Sequence, residues 1–510
     1  HSSYYLNLVR EQEPSLSGKA PQNAVAMLRR EINNVRHAWQ WAVSHGRVGS
    51  IARSLEGLSR FYQFVGLFEE GESLSRTAAV RLQKMAGQAD DTGDTGDQLP
   101  STIARLLIHE ARFLTKQGQY ERATAAVQSA LALALEQHIS DSPALAGIRA
   151  EAQMTWSRVL ELQDNYDQAL ILQEQAMAFY EADGNKQGLA HALSRIGNIH
   201  WRKGEYGEAL ACLQRALAFE RELGNQEAIG RHLGDIGIIF RYRGEYDKSL
   251  DYTGQALQIA QELGNEEGIA RNLHNMGLGY WPKGEYDQAL ACYEQALQIA
   301  QKLGLKRGVA LCLGNMGVVF KRTGNYERAL ACYQEALQLD QELGHRVAIT
   351  DYLGNIGNVY LEMGQYDRAM GYYQQALQVA REVHYREAIA RHIANIGDIY
   401  RQREQPERAL AHYDEAIASF RDLGSRYYLG DTLLRKAELL LSLEEPAAAE
   451  GARLEGLQLV VEAGAQEYIV KGEILGARLA HARGERETAS RKLQAMLAAT
   501  TDEKEQAALH

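Results

Sequence analysis

The sequence predicts an all-α fold, a right-handed superhelical solenoid of antiparallel helix pairs. Three observations carry that prediction: a composition suited to helices, glycines that recur at one fixed spacing, and two apolar stripes of helical period inside each recurrence. Ala, Leu, Glu, Gln and Arg, all strong helix formers, dominate the 510 residues. Only 7 residues are proline, which breaks helix interiors. One compact domain is too few for this length, so several domains or a repeat array is expected. The apolar share of 45% supplies a packed core and argues against wholesale disorder.

The glycine register is Gly197, Gly237, Gly277, Gly317, Gly357 and Gly397, followed after three residues by His200, Phe240, Tyr280, Phe320, Tyr360 and Tyr400. A second set, Gly204, Gly244, Gly284, Gly324 and Gly364, stands two residues before Tyr206, Tyr246, Tyr286, Tyr326 and Tyr366. In the unit 267–306, Leu273, Met276, Gly277 and Tyr280 form an i, i+3, i+4, i+7 stripe, the mark of a first helix. Gly284 is expected to end it, because glycine readily takes the left-handed conformation of a helix terminus. Ala289, Leu290, Tyr293, Ala296, Leu297 and Ala300 give a second helix one apolar face, which Leu303-Gly304 closes. The small residues Gly277 and Ala296 let the paired helices approach. Pro406 and Pro446 fall where a second helix opens, and proline is tolerated in a first turn. Pro282 falls near the end of a first helix, where it either bends the wall or shortens that helix.

This order of Leu-Gly, Tyr, Ala and Ala resembles the tetratricopeptide repeat family, although 40 residues exceeds that family's commoner length of about 34. It is similar to the long-helix subgroup found in kinesin light chains, in Leu-Gly-Asn-rich spindle-orientation adaptors and in sensor domains of bacterial regulators. Leu313-Gly314-Asn315-Met316-Gly317 and Leu353-Gly354-Asn355-Ile356-Gly357 carry the likeness most closely. Six regular repeats are expected over 187–426, divergent repeats over 101–186, and degenerate repeats with a cap over 427–510, where Gly484, Ala489 and Leu493 suggest a last hairpin. The acidic, Gly-rich stretch 87–100 is expected to be a mobile loop after an N-terminal helical region, 1–86.

In that region Leu28, Ile32, Val35, Ala38, Trp39 and Ala42 share one helical face. The string from Leu28 to Ala42 (LRREINNVRHAWQWA) resembles a junction in bacterial signal-transducing ATPases with numerous domains, where the nucleotide-binding and winged-helix part runs into a repeat sensor. His1 to Leu8 resembles the helix before it. The resemblance implies the sensor half of a larger switch, one that binds an inducer and otherwise helps hold the ATPase inactive. The start at His1 fits a cut fragment. On the residues alone, 20–68 reads equally as a capping pair of divergent repeats.

A net charge of −11 gives no field to hold a polyanion, so nucleic acid is not an expected partner. No run of about 18 apolar residues appears, so no membrane span is expected. Cys212, Cys292, Cys312 and Cys332 are too few for a disulfide scaffold and fit a reducing, cytoplasmic setting. Three of them share one repeat position and read as packing residues. The phosphate-loop pattern GxxxxGK[ST], HExxH and CxxC are absent from the sequence. No catalytic residue, cofactor or metal site is expected, and any ATPase activity belongs to a domain outside this chain.

In tetratricopeptide solenoids the first helices line the inner, concave wall. Fixing the repeat glycine then selects the side chains that face it: those six and two residues before, one after, and four to five after. Two before stand Arg195, Asp235, Asn275, Asn315, Asn355 and Asn395, the four Asn making a row of amides able to hold a peptide backbone whatever its side chains. Related peptide-binding arrays use Asn there for that purpose, though the same amides can equally bond neighbouring helices. Six before stand Arg231, Arg271 and Arg391, with Leu311 and Asp351 in the same row. Four to five after stand Arg241, Tyr242, Trp281, Lys321, Arg322 and Arg401. The mixture suits a ligand with carboxylates or phosphates and some aromatic surface. A peptide or protein partner is expected, with a small-molecule inducer as the other ligand class. A free-standing adaptor that bridges two proteins is the alternative function.

Overall fold

Helix ends arrive at an even spacing, twice per repeat, and glycine sets the beat. Gly204, Gly224, Gly244, Gly264, Gly284, Gly304, Gly324, Gly344 and Gly364 all take φ between +65° and +78°, left-handed conformations that cost glycine nothing sterically. Where glycine is missing the beat persists: Asp164, His384, Glu404 and Glu444 adopt φ of 57°, 55°, 56° and 59°. Register is therefore set by the packing of whole hairpins, strongly enough to hold a side chain in a strained turn.

The structure, a computed structural model, describes residues 2–16, 21–86, 98–135, 143–487, 489–491 and 494. It divides into two units, His1–Ile239 and Phe240–His510. The first contains α1 (Ser2–Leu16), α2 (Pro21–Ser44), α3 (Val48–Val65), α4 (Phe68–Ala86), α5 (Gln98–Lys116), α6 (Tyr120–Leu135), α7 (Pro143–Leu162), α8 (Tyr166–Ala182), α9 (Lys186–Arg202) and α10 (Tyr206–Leu223). The division falls within α11 (Gln226–Tyr242). The second contains α12 (Tyr246–Glu262), α13 (Glu266–Tyr280), α14 (Tyr286–Lys302), α15 (Lys306–Arg322), α16 (Tyr326–Leu343), α17 (Arg346–Glu362) and α18 (Tyr366–Glu382). It continues with α19 (Arg386–Gln402), α20 (Pro406–Leu423), α21 (Arg426–Ser442), α22 (Pro446–Glu462) and α23 (Gln466–Ala482). Among the described residues there is no strand, and no helix is long and apolar enough to cross a membrane.

Four of the six regular hairpins close on a tyrosine, the first two carrying Leu213 and Thr253 in its place. Tyr293, Tyr333, Tyr373 and Tyr413 on the second helices are fully buried against Gly277, Gly317, Gly357 and Gly397 of the first. A Cβ at Gly317 would stand 2.7 Å from Tyr333 Cε1, so that glycine is required by the ring itself. The preceding glycine of the Leu-Gly-Asn segment does a different job. A Cβ at Gly354 would stand 2.6 Å from His392 Cε1, on the first helix of the next repeat. One glycine thus closes a hairpin and the other seats its successor.

Exposed ion pairs recur at two sets of positions, the first joining the two helices of one hairpin and the second joining neighbouring hairpins. One edge carries Lys186–Glu222 in the first unit, and Lys306–Glu342, Arg346–Glu382 and Arg426–Glu462 in the second. The other carries Lys203–Asp167 in the first unit, and Lys283–Asp247 and Arg403–Asp367 in the second. Asn185, Asn265 and Asn325 cap first or second helices by accepting a backbone N–H three residues on.

Three expectations are resolved. The loop expected at 87–100 is helical from Gln98, because Pro100 sits in a first turn where its missing N–H has no partner to lose; residues 87–97 lie outside the described residues. Leu493, assigned to a last hairpin, also lies outside them. Pro282 shortens its helix: α13 stops at Tyr280 and the turn Trp281–Lys283 is 3-10. In α2, Leu28, Val35, Ala38, Trp39 and Ala42 are buried and Ile32 packs against them, the face read from their spacing.

Candidate ligand-binding troughs

In the second unit, first-helix side chains converge on a trough of about 800 Å³. From α19 come Arg391, Asn395, Asp398 and Arg401; from α21 come Asp431, Arg435 and Glu438; from α23 come Lys471, Leu475 and Arg478. The outer lining includes Lys321 and Arg322 of α15 and Asn358 and Glu362 of α17. Relative to each repeat glycine these stand six or two before, one after, or four to five after. That is the single stripe a 3.6-residue period allows.

The cations of this wall are held by the wall's own acids. Arg435, half-buried, donates to Asp398 Oδ2 at 2.6 Å and to Asn395 Oδ1 at 3.0 Å, and pairs with Asp431 at 2.5 Å. Burial opposes its charge, but Asp398 and Asp431 outweigh that and hold its pKa well above the ordinary arginine value. Burial likewise pushes Asp431 up, and Arg435 with Lys471 brings it below the usual carboxylate range. Arg391 pairs with Asp351 and donates to Tyr428 Oη at 3.3 Å. Arg401 donates to Glu438 at 2.9 Å, Lys321 stands 3.5 Å from Glu362, and Arg322 donates to Glu467 at 3.2 Å. Row by row, the position six before the glycine reads Asp351, Arg391, Asp431, Lys471, alternating in sign.

The asparagine row divides. Asn395 is buried, lines the trough, reaches Asn358 at 3.5 Å and accepts from Arg435. Asn315 lies 2.8 Å from His274 Nε2 on the preceding first helix, a bond inside the scaffold. Asn275, Asn315 and Asn355 are half-buried and do not line this cavity. Nor do Arg271, Arg241, Tyr242 or Trp281. Arg271 is exposed, the Arg241 guanidinium stacks on the Tyr242 ring at 4.5 Å, and Trp281 packs on the hydrophobic core from its 3-10 turn.

The first unit has its own trough, of about 1040 Å³. Arg231 lines it, with Arg195 and Asp235 of the row two before the glycine, beside Arg112, Arg158, His191 and His232, residues the sequence reading did not single out. His191 holds the position six before Gly197, so the repeat phase contained that signal. Burial, then the adjoining Arg231, pushes His232 down to about 4, so its ring is neutral near pH 7. Arg112 donates to Glu151 at 2.7 Å, and Arg195 to the buried Glu161 at 2.6 Å.

The four cysteines are free, and burial raises every thiol, Cys312 to about 11, which leaves them protonated packing groups. Among the described residues no group of three His, Cys, Asp or Glu side chains is placed to hold a metal ion.

Antiparallel helix pairs in strict register, with one stripe per first helix lining a trough, define a class: a helical-repeat scaffold. The tetratricopeptide repeat family matches at residues 148–222, 188–262, 268–342 and 346–422, together more than half of the sequence. The chain belongs to the tetratricopeptide repeat family. A shorter match, residues 47–149, is to anaphase-promoting complex subunit 5. Among solved structures the chain is similar to the apo quorum sensor NprR from B. thuringiensis, 17% identical, covering 70% of this chain and 97% of that one, with a TM-score of 0.52. It is similar to the apo form of RapI, 14% identical, covering 71% and 99%, with a TM-score of 0.51. A Rap protein complexed with competence and sporulation factor is 14% identical, covering 72% and 100%, with a TM-score of 0.49. At these identities the likeness is one of fold. None of the curated proteins compared with the chain matches it.

Proposed function

We propose that this protein is a receptor for a peptide or protein segment, bound in extended form along its first helices, and that it serves as the sensor module of a bacterial signal-transducing ATPase. The observation that carries the peptide reading is the trough of the second unit, where recurrent first-helix positions present charged and amide groups once per repeat. Packed helices lie about 8–10 Å apart and an extended chain advances about 3.3 Å per residue, so roughly three ligand residues pass each first helix or fewer. Because Arg391, Arg401 and Arg435 are already paired, an acidic ligand must displace carboxylates of the wall itself. Binding by exchange of ion pairs favours selectivity over raw affinity. The fold is shared with a protein named as a quorum sensor, which is compatible with sensing. The ATPase assignment is supported by the likeness of residues 28–42 to the sensor junction of that family.

The test is selection of a random peptide library on the immobilised full chain, followed by titration of the winners into wild type and an Arg391→Glu/Arg401→Glu variant. Selected peptides should lose about tenfold or more in affinity to the variant, the scale of one charged hydrogen bond. Failure to select any peptide, or equal binding by the variant, would sink the peptide reading. The switch assignment is tested apart: the product of the intact gene should carry a nucleotide-binding domain whose ATP hydrolysis rises with the selected peptide. A gene lacking such a domain removes it.

A further inference from the structure

The trough of the first unit holds two buried polar atoms that its own wall does not satisfy. Glu220, at the end of α10, is 5% exposed, lines the cavity, and its Oε2 has no hydrogen-bond partner. His232, on α11, is 2% exposed, lines the same cavity, and its Nδ1 has none either. A buried carboxyl oxygen without a donor is costly to fold around. The repeat does not require it: the equivalent second-helix position is Ala260, Ala300 and Ala380 elsewhere, and where it carries another buried acid, Asp340, that acid has a partner in His345 Nδ1 at 3.0 Å. Beside His232, Arg231 is exposed and forms no ion pair among the described residues.

The surroundings narrow what belongs there. Glu220 calls for a donor, but of the six cations lining the cavity Arg60, Arg158 and Arg195 pair with Glu56 and Glu161 and Arg112 with Glu151, while Lys116 and Arg231 form no ion pair among the described residues. A polyamine or a basic peptide is repelled by those two cations. A ligand with one ammonium group and otherwise acidic character fits both facts. We propose that the first-unit trough captures the free amino terminus of an acidic peptide, its ammonium donating to Glu220 Oε2 while Arg231 and the His232 ring meet its first carbonyl and carboxylate groups. This rests on the peptide-receptor reading above and adds to it which end of the ligand is recognised, and by which unit.

The experiment uses the full chain and two synthetic libraries of Asp- and Glu-rich hexapeptides, one with free amino termini and one N-acetylated, read by affinity-selection mass spectrometry. Wild type should retain the free-amine library about tenfold or more over the acetylated one, since a hydrogen bond to a charged group is worth about 1.5–3 kcal/mol. Glu220→Gln, which keeps the volume and adds a donor, should retain the two alike. Lys306→Ala, at an exposed edge of the other unit and outside both cavities, should preserve the preference. Equal retention of both libraries by wild type, or a preference that survives Glu220→Gln, overturns the capture of an amino terminus and leaves peptide binding standing. Retention of neither library overturns both. A circular dichroism melt of Glu220→Gln at or above the wild-type midpoint confirms that a lost preference is not lost fold.

Discussion

Tyr333→Phe and Tyr413→Phe delete the same atom from equivalent buried rings and should shift local stability in opposite directions. The hydroxyl of Tyr413 donates to Asp398 Oδ1 at 2.6 Å in a buried setting. A hydrogen bond to a charged group contributes about 1.5–3 kcal/mol. Asp398 keeps Arg435 at 2.6 Å after the change, so the carboxylate is not orphaned and the lower figure, about 1.5 kcal/mol, applies. Tyr333 is equally buried, but the position after Gly317 is Val318, and its hydroxyl has no partner. Removing that desolvated group should gain about 1 kcal/mol. Because repeat arrays open locally, the assay is amide hydrogen exchange by mass spectrometry over α15–α16 and α19–α20. Exchange should slow about fivefold in the former and quicken about tenfold in the latter, the rate factors of those energies. Acceleration in both helix pairs would refute the claim that the wall residue after the glycine decides whether the tyrosine hydroxyl is satisfied.

Gly317→Leu should open the α15–α16 hairpin to proteolysis, because even a Cβ meets the buried Tyr333 ring at 2.7 Å; an unchanged digestion pattern contradicts the packing. Glu404→Gly should raise the urea midpoint by the equivalent of about 1 kcal/mol, since Glu404 holds a left-handed φ of 56°, and a lower midpoint would show another role for that side chain. Burial and then Arg391 push His392 down to about 3 in the fold, against 6.5 unperturbed. The folded state favours the neutral ring, so this residue costs stability progressively as pH falls from about 6.5 towards about 3. His392→Phe should flatten urea midpoints measured between those limits, and an unaltered slope would discount the buried ring. Lys306→Ala with Glu342→Ala should cost under about 1 kcal/mol, and the difference should vanish in molar salt; persistence there would mean the edge pair does more than exchange charge with solvent.

The fold was legible because its determinants are local and repeated. Gly317, Tyr333 and Gly324 recur at one spacing, and each carries its reason within a single hairpin. The stripe that lines the second unit's trough was legible too, since Arg391, Asn395 and Arg401 needed only the helical period. Pairing across repeats was not. Arg401 meets Glu438 at a separation of 37 residues and Arg435 meets Asn395 at 40, so reading one repeat at a time found cations without their acids. Asn315 shows the same gap, its partner His274 being 41 residues away. Trp281 left the expected row because Pro282 ended its α-helix two residues early and turned it into a 3-10 turn. Glu220 left no trace in the pattern, because its second-helix position carries Tyr180, Ala260, Asp340 and Phe420 in other repeats and no one chemistry recurs there.

The alternation of Asp351, Arg391, Asp431 and Lys471 makes this stretch sensitive to parity. Excising one repeat unit, 391–430, sets Asp351 beside Asp431, acid against acid, inside a narrow channel. Excising two restores an acid beside a base. Lineages that lengthen or trim this part of the chain should therefore do so by even steps, or change a charge at the seam when they do not.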